Sequence, residues 1–167
     1  AADLLHGAET VYIDEGFSPR LVAEKLAHRE LTVVTSSLLA AEALADSTTV
    51  TVMLLGGRMR GRTLATVGEW NASVLRGLTI DLAYLGTNAV SVEDGLTTPD
   101  PAVAAIKGEA VRRSRRRVLI AAHSKFGITS FCRFADVADF ETIVTGTELD
   151  RAEADRYHAL GPEVLRV

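Results

Sequence analysis

The chain has 167 residues, 47% of them hydrophobic and 24% charged, with 18 Lys and Arg against 22 Asp and Glu for a formal net charge of −4. That length fits one domain, and the apolar fraction is enough for a packed core, which excludes a disordered chain. The acidic balance argues against this segment itself gripping duplex DNA, where affinity comes largely from neutralised phosphates, and 5% aromatics argues against base stacking as its main activity.

In chain order, the first strand-like run is Thr10–Ile13, followed by Ser18-Pro19 as a cap with proline at the first helical position of Arg20–His28. A second strand, Leu31–Thr35, runs into Ser36 or Ser37 as cap of a helix over Leu38–Leu44. Strands at Val50–Leu55 and Asp81–Leu85 flank a helix at Glu69–Leu75. A turn-rich loop, Gly95–Asp100, leads into a helix over Ala102–Arg116 and a strand at Arg117–Ala122. Thr142–Thr145 is a strand; Thr147 caps a helix over Leu149–Leu160 with Asp150 as its partner, and Gly161-Pro162 stops that helix before a last strand at Val164–Val167. Most strands are continuous Val, Ile and Leu runs, the pattern of strands covered on both faces. Alternation with helices predicts right-handed crossovers and an α/β fold: a three-layer, doubly wound, mostly parallel sheet. No repeat, linker or low-complexity tract divides residues 1–167.

Other features narrow the class. The single cysteine, Cys132, allows no internal disulfide and reads as a small buried residue rather than a nucleophile. The four histidines, His6, His28, His123 and His158, lack metal-ligand spacing, so no metal and no cofactor is expected. No apolar run approaches the roughly 20 residues of a membrane span, and Ala1–His6 has none of the regions of a signal peptide. A cytoplasmic protein without membrane contact is expected, and a first residue other than Met points to processing or to a segment of something longer.

The residue types that follow each strand carry the functional signal. They are Asp14-Glu15-Gly16-Phe17-Ser18, Thr35-Ser36-Ser37, Gly56-Gly57-Arg58, Gly86-Thr87-Asn88 and His123-Ser124-Lys125. In a doubly wound sheet these strand ends share one edge, where ligands bind at the switch point of strand order. Hydroxyls, glycine backbone and helix N-termini at that edge suit an anion such as phosphate. Ordinary caps and turns use the same residues. Gly56–Thr63 nearly spells a phosphate-binding loop, but Arg62 stands where the lysine belongs and Arg58, Met59 and Arg60 are bulky for a cradle. Arg112–Arg117 resembles a nucleic-acid patch, with five arginines in six positions; the alternative is a helix C-terminus whose cations oppose the macrodipole.

In order, Asp14-Glu15-Gly16, Leu31–Ser37, Val52–Gly57, Asp81–Asn88, Gly95–Asp100, Lys107 and Ser124–Gly127 resemble the C-terminal effector domain of the DeoR family of bacterial transcriptional repressors. The resemblance implies a ribose-5-phosphate-isomerase-like fold that senses a phosphorylated sugar, and an N-terminal winged helix-turn-helix, absent from this chain, that reads operator DNA. It implies residues 1–167 as an effector-sensing and oligomerisation domain, in a homodimer or homotetramer. The expected ligand-binding residues are Asp14, Gly16, Ser18, Thr35, Ser36, Ser37, Gly56, Gly57, Gly86, Thr87, Asn88, Thr97, Thr98, Asp100, Lys107 and Lys125. Within that set, Gly16, Ser18, Thr35, Ser36 and Ser37 form the expected anion subsite, Lys107 is the main cationic contact, and Lys125 is the second candidate. Two positions depart from the family pattern. Phe17 and Pro19 flank Ser18 where further hydroxyls are usual, and His123 stands where aspartate is usual. The alternative is a sugar-phosphate isomerase of the same fold, with Asp81, Glu93, Asp94, Asp100 and Lys107 as candidate proton-transfer and oxyanion groups. A denser acidic loop and a glycine-rich lysine motif are absent, since one glycine follows Lys107, and no catalytic residue is expected.

Overall fold

The computed structural model describes residues 2–167. A seven-stranded parallel sheet forms its centre, in the order β12-β11-β9-β6-β1-β2-β3. These strands are β1 (Thr10–Ile13), β2 (Leu31–Thr35), β3 (Val50–Leu54), β6 (Ile80–Leu85), β9 (Ser114–Ile120), β11 (Thr142–Thr145) and β12 (Glu163–Arg166). The helices are α1 (Phe17–Leu26), α2 (Leu38–Ala43), α3 (Glu69–Arg76), α4 (Pro101–Arg113) and α5 (Arg151–His158).

The strands alternate strictly between two cores. Val11, Ile13, Val33, Leu82, Tyr84, Val118 and Val144 face a cluster with Val22, Ala23 and Leu26 of α1 and Ala40 of α2. Tyr12, Val34, Ala83, Leu85, Leu119 and Ile143 face the opposite cluster with Leu75 of α3, Ile106 and Ala110 of α4, and Tyr157 of α5. Both faces are apolar because both are covered, which is why these strands read as unbroken hydrophobic runs. Three layers and a doubly wound sheet thus follow from the sequence pattern.

Local expectations shift in four places. Helix α1 begins at Phe17 with Gly16 as N-cap (φ 115°), so Pro19 sits at the third helical position rather than the first. Asp150, not Thr147, caps α5, its carboxylate accepting from Ala152 N at 3.0 Å. The arginine run straddles a junction: Arg112 and Arg113 end α4, whereas Arg115, Arg116 and Arg117 lie in β9. Their charges are engaged within the fold. Arg112 and Arg113 hold Glu109, Arg116 donates to the Leu4 and Leu5 carbonyls, and Arg117 pairs with Glu141. Cys132 is half-buried rather than buried.

Five short strands escape the hydrophobic pattern. β4 (Arg58–Arg60) and β5 (Ala65–Val67) form a hairpin where a loop is expected. β7 (Ala89–Ser91), β8 (Gly95–Thr98) and β10 (Cys132–Ala135) form an antiparallel sheet in the order β10-β8-β7. Gly95 enters β8 at φ 70°, and a Cβ there would stand 2.4 Å from the Ala135 carbonyl, so only glycine fits.

Candidate functional site

Strand order reverses between β1 and β6: the chain steps from β1 to β2 and β3 on one side, then returns to place β6 on the other. A half-open cleft of about 310 Å³ lies here, at the C-terminal ends of β1, β6 and β9. Its walls are Glu15–Pro19 after β1, Gly86–Asn88 after β6, Ile120–Ala122 and Lys125 after β9, Lys107 of α4 and Thr63 of the β4–β5 hairpin. The volume is at the low end of small-molecule sites, suited to a ligand the size of a sugar phosphate rather than a dinucleotide.

The back of the cleft is a buried ion pair. Lys107 Nζ bonds the Asp14 carboxylate and the Gly86 carbonyl, the latter at 3.1 Å, while Gly86 N donates to Asp14 Oδ2 at 2.9 Å. The Lys107 ammonium also lies 5.7 Å from the Phe134 ring centre. This cluster ties the ends of β1 and β6 to α4. Its charges largely cancel, so Lys107 contributes little net positive charge to the cleft.

The free polar groups stand at the mouth. The N-terminus of α1 opens on the cleft; its N-cap, Gly16, has no side chain, and no side chain among the described residues caps it. The Phe17 and Ser18 N–H groups therefore lack intrahelical partners, and the helix dipole adds partial positive charge. Asn88 accepts from Thr98 Oγ1 at 2.8 Å through Oδ1, which leaves its amide NH₂ to donate. Lys125 ends a 3₁₀ turn (His123–Lys125) and has no carboxylate partner among the described residues. That turn is anchored just beyond it. Gly127 N donates to the Val90 carbonyl at 2.9 Å and to Tyr157 Oη at 3.1 Å, and the Phe126 and Tyr157 rings meet edge to face at 5.0 Å.

Seven of the expected residues line this cleft: Gly16, Ser18, Gly86, Thr87, Asn88, Lys107 and Lys125. The Thr87 hydroxyl is already spent on the Ala89 and Thr97 carbonyls at 2.8 and 3.1 Å. Asp14 lies behind the wall in the ion pair. The hydroxyls after β2 are not brought to the cleft. Thr35 donates to Ile13 O at 2.6 Å and accepts from Ser37 N at 3.0 Å, and Ser37 caps α2. Ser36 is buried under β5, its carbonyl accepting from Thr66 N, and Leu38 N at the start of α2 donates to Leu64 O. The β4–β5 hairpin thus closes the second strand end that the sequence suggested for an anion. Gly56 and Gly57 lie outside the cleft, and Gly57 serves the same hairpin: at its φ of 144° a Cβ would stand 2.7 Å from Val67 O. Thr97 accepts from Ser130 N, Thr98 bonds Asn88, and Asp100 caps α4 while pairing with Arg60 at 3.2 Å; all three brace the wall from outside the cleft.

The cleft also holds Glu15, Phe17, Pro19, Thr63 and Ile120–Ala122, which lie outside the expected ligand-binding set; Glu15 and Phe17 belong to a strand-end loop that the sequence marks, but not as contacts. Glu15 sits between two expected residues in a strand-end loop, which was the available signal. The carboxylates considered for proton transfer do not converge. Asp81 is at the far end of β6, bonded to Thr10 at 2.8 Å, and Glu93 and Asp94 lie in the β7–β8 turn. Among the described residues no group of His, Cys, Asp and Glu is placed to hold a metal, and no helix is long and apolar enough to cross a membrane.

The chain matches the family model of the DeoR C-terminal sensor domain over residues 1–147. It is 33% identical over 149 residues to the uncharacterized HTH-type transcriptional regulator FruR of Bacillus subtilis, covering 89% of this chain and 59% of that protein. To the HTH-type transcriptional regulator GlpR of Haloferax volcanii it is 34% identical over 167 residues, covering 99% of this chain and 65% of that protein. The chain therefore spans about three-fifths of the length of these relatives. Among solved structures it is similar in fold to ribose 5-phosphate isomerase A of Methanocaldococcus jannaschii, with TM-score 0.52 and 12% identity over 75% of this chain and 49% of that one.

Proposed function

The chain belongs to the DeoR C-terminal sensor domain family, and from that premise we propose that it binds a phosphorylated sugar in the cleft at the ends of β1, β6 and β9. Its relatives are transcriptional regulators, which points to a ligand-sensing regulatory domain and not an enzyme, despite the isomerase-like fold. The observation that carries the phosphate reading is the pairing of two features at one mouth. Lys125 has no carboxylate partner, and the α1 N-terminus in the same cleft has no side-chain cap, among the described residues. Of the two lysines lining the cleft, Lys107 is neutralised by Asp14, so Lys125 takes over as the main cationic contact. Phosphate oxygens would accept from the Phe17 and Ser18 N–H groups and the Ser18 hydroxyl, with the Asn88 amide available to a sugar oxygen.

Occupancy of this cleft would then modulate operator binding by a DNA-reading domain of the whole protein, in the cytoplasm. Pairing of such heads on an inverted repeat calls for a closed two-fold assembly of this domain; sedimentation of the whole regulator showing only monomer would refute that part. The ligand reading is tested by a melting-shift screen of sugar phosphates against their unphosphorylated parents, followed by calorimetry. Lys125→Met is expected to weaken the best phosphorylated ligand by roughly tenfold or more, the equivalent of about 1.4 kcal/mol, and to leave the melting temperature of the free protein unchanged. A parent protein that binds the unphosphorylated sugars equally well would refute it.

A further inference from the structure

The same cleft carries two groups that an anion alone does not use. Phe17 lines it yet is 74% exposed, although a large aromatic side chain gains most when covered. Pro19 of the same helix and Ile120, Ala121 and Ala122 at the end of β9 add apolar wall. Glu15 lines the cleft too, its side chain only 11% exposed. One of its carboxylate oxygens faces Arg60 Nη1 at 3.4 Å, and the other is buried with no hydrogen-bond partner. A buried carboxylate oxygen without a donor is costly to maintain, and a turn about the last side-chain bond exchanges the two oxygens, so either can meet a donor brought into the cleft.

These groups call for a ligand with a flat C–H surface and a hydroxyl on the same body. We infer that the site selects ring-closed sugar phosphates, stacking one C–H face of a pyranose ring on Phe17 and taking a ring hydroxyl on Glu15, while the phosphate occupies the α1 N-terminus and Lys125. This rests on the phosphate reading above and adds what lies beyond the phosphate. An open-chain polyol phosphate has the hydroxyls but no flat apolar face, so it leaves Phe17 uncovered. Inorganic phosphate uses neither group.

The test is calorimetry on the 167-residue chain with matched probes: methyl gluco-, galacto- and mannopyranoside 6-phosphates, which cannot open, against glucitol, galactitol and mannitol 6-phosphates, which cannot close. At least one ring-locked probe is expected to bind roughly tenfold or more tightly than its open-chain partner. Phe17→Ala, which removes the ring without adding a hydroxyl, is expected to bring the ring-locked and open-chain affinities together, and Phe17→Leu to retain part of the difference. Glu15→Gln, with folding verified by its melting curve, is expected to weaken the ring-locked probe by several-fold and inorganic phosphate hardly at all. Equal affinity for the two probe sets in the parent, or a ring preference that survives Phe17→Ala, overturns the inference while leaving the phosphate site standing. Failure of every phosphorylated probe to bind the parent overturns the phosphate reading, and this inference with it.

Discussion

Replacing Lys107 by methionine is expected to damage stability before it affects ligand binding. Lys107 is 3% exposed and Asp14 1%, so the substitution strands a carboxylate that keeps, among the described residues, the Gly86 N–H at 2.9 Å. Removing one partner of a buried pair costs about 3–5 kcal/mol because the remaining charge stays desolvated. Methionine preserves most of the aliphatic stem and can lie against Phe134, so lost packing adds little. For a domain of this size 1 kcal/mol moves the melting temperature by roughly 2–4 °C, so the expected fall is about 6–20 °C. Circular-dichroism melts at neutral pH read this directly, with urea denaturation confirming that the slope, and hence the surface exposed, is unchanged. The double variant Asp14→Asn, Lys107→Met removes both charges, and the asparagine carbonyl still accepts from Gly86; it is expected to recover at least half of the loss. A fall below about 2 °C in Lys107→Met, or a double variant no more stable than the single one, would refute the argument that Lys107 is held there by Asp14.

Two further outcomes concern pH. The side-chain hydrogen bond from Thr10, reinforced by the Thr10 and Glu9 N–H groups and by Arg115, outweighs burial and holds the Asp81 carboxyl below its usual value, so its contribution is present above the unfolded carboxylate range near 4 and lost as pH falls through the lower folded value; Asp81→Asn is expected to flatten the acid limb of a stability-versus-pH curve, and an unchanged limb would refute it. Burial pushes all three tyrosines up, Tyr84 to about 12, Tyr12 well above its usual value with Asp14 adding to the effect, and Tyr157 by a smaller amount. The raised folded values contribute stability that is full below about pH 10 and declines as pH rises through them, so absorbance titration of the folded protein is expected to show no phenol ionising at the usual position near 10. One tyrosine titrating there reversibly would contradict the burial of that ring.

The central sheet was legible because burial on both faces leaves an unmistakable trace: runs such as Leu31–Thr35 and Thr142–Thr145 appear in the structure with the boundaries the sequence suggests. The antiparallel pieces were not. β4, β5 and β7 have three residues each, too few for alternation to register; β4 pairs with β5 and β7 with β8 across short turns, so cross-strand pairing rather than a periodic apolar face defines them. The same hairpin explains why the hydroxyls after β2 misled. A Thr-Ser-Ser run at a strand end reads alike whether it faces a ligand or caps a helix, and only the placement of Ala65–Val67 over it decides. Lys107 was legible as a helix residue near the edge, but its partner is 93 positions away, and pairing over that distance has no local signature. Lys125 stood out less in sequence for the converse reason: what distinguishes it is the absence of a partner.

Gly86 has both of its backbone groups fixed, the N–H by Asp14 and the carbonyl by Lys107, so the back of the cleft is set before any ligand arrives. The consequence is kinetic. A wall that does not have to rearrange imposes no slow step on entry, and association should proceed at an ordinary encounter-limited rate, about 10⁵–10⁷ M⁻¹s⁻¹ or faster for a small anion. Ligands that share the phosphate will then enter at similar rates and differ in how long they stay. On the proposed reading, the time the domain needs to forget a metabolite after its concentration falls would be set by contacts at the mouth, from Glu15 to Ser18 and at Lys125, rather than by the buried pair behind them.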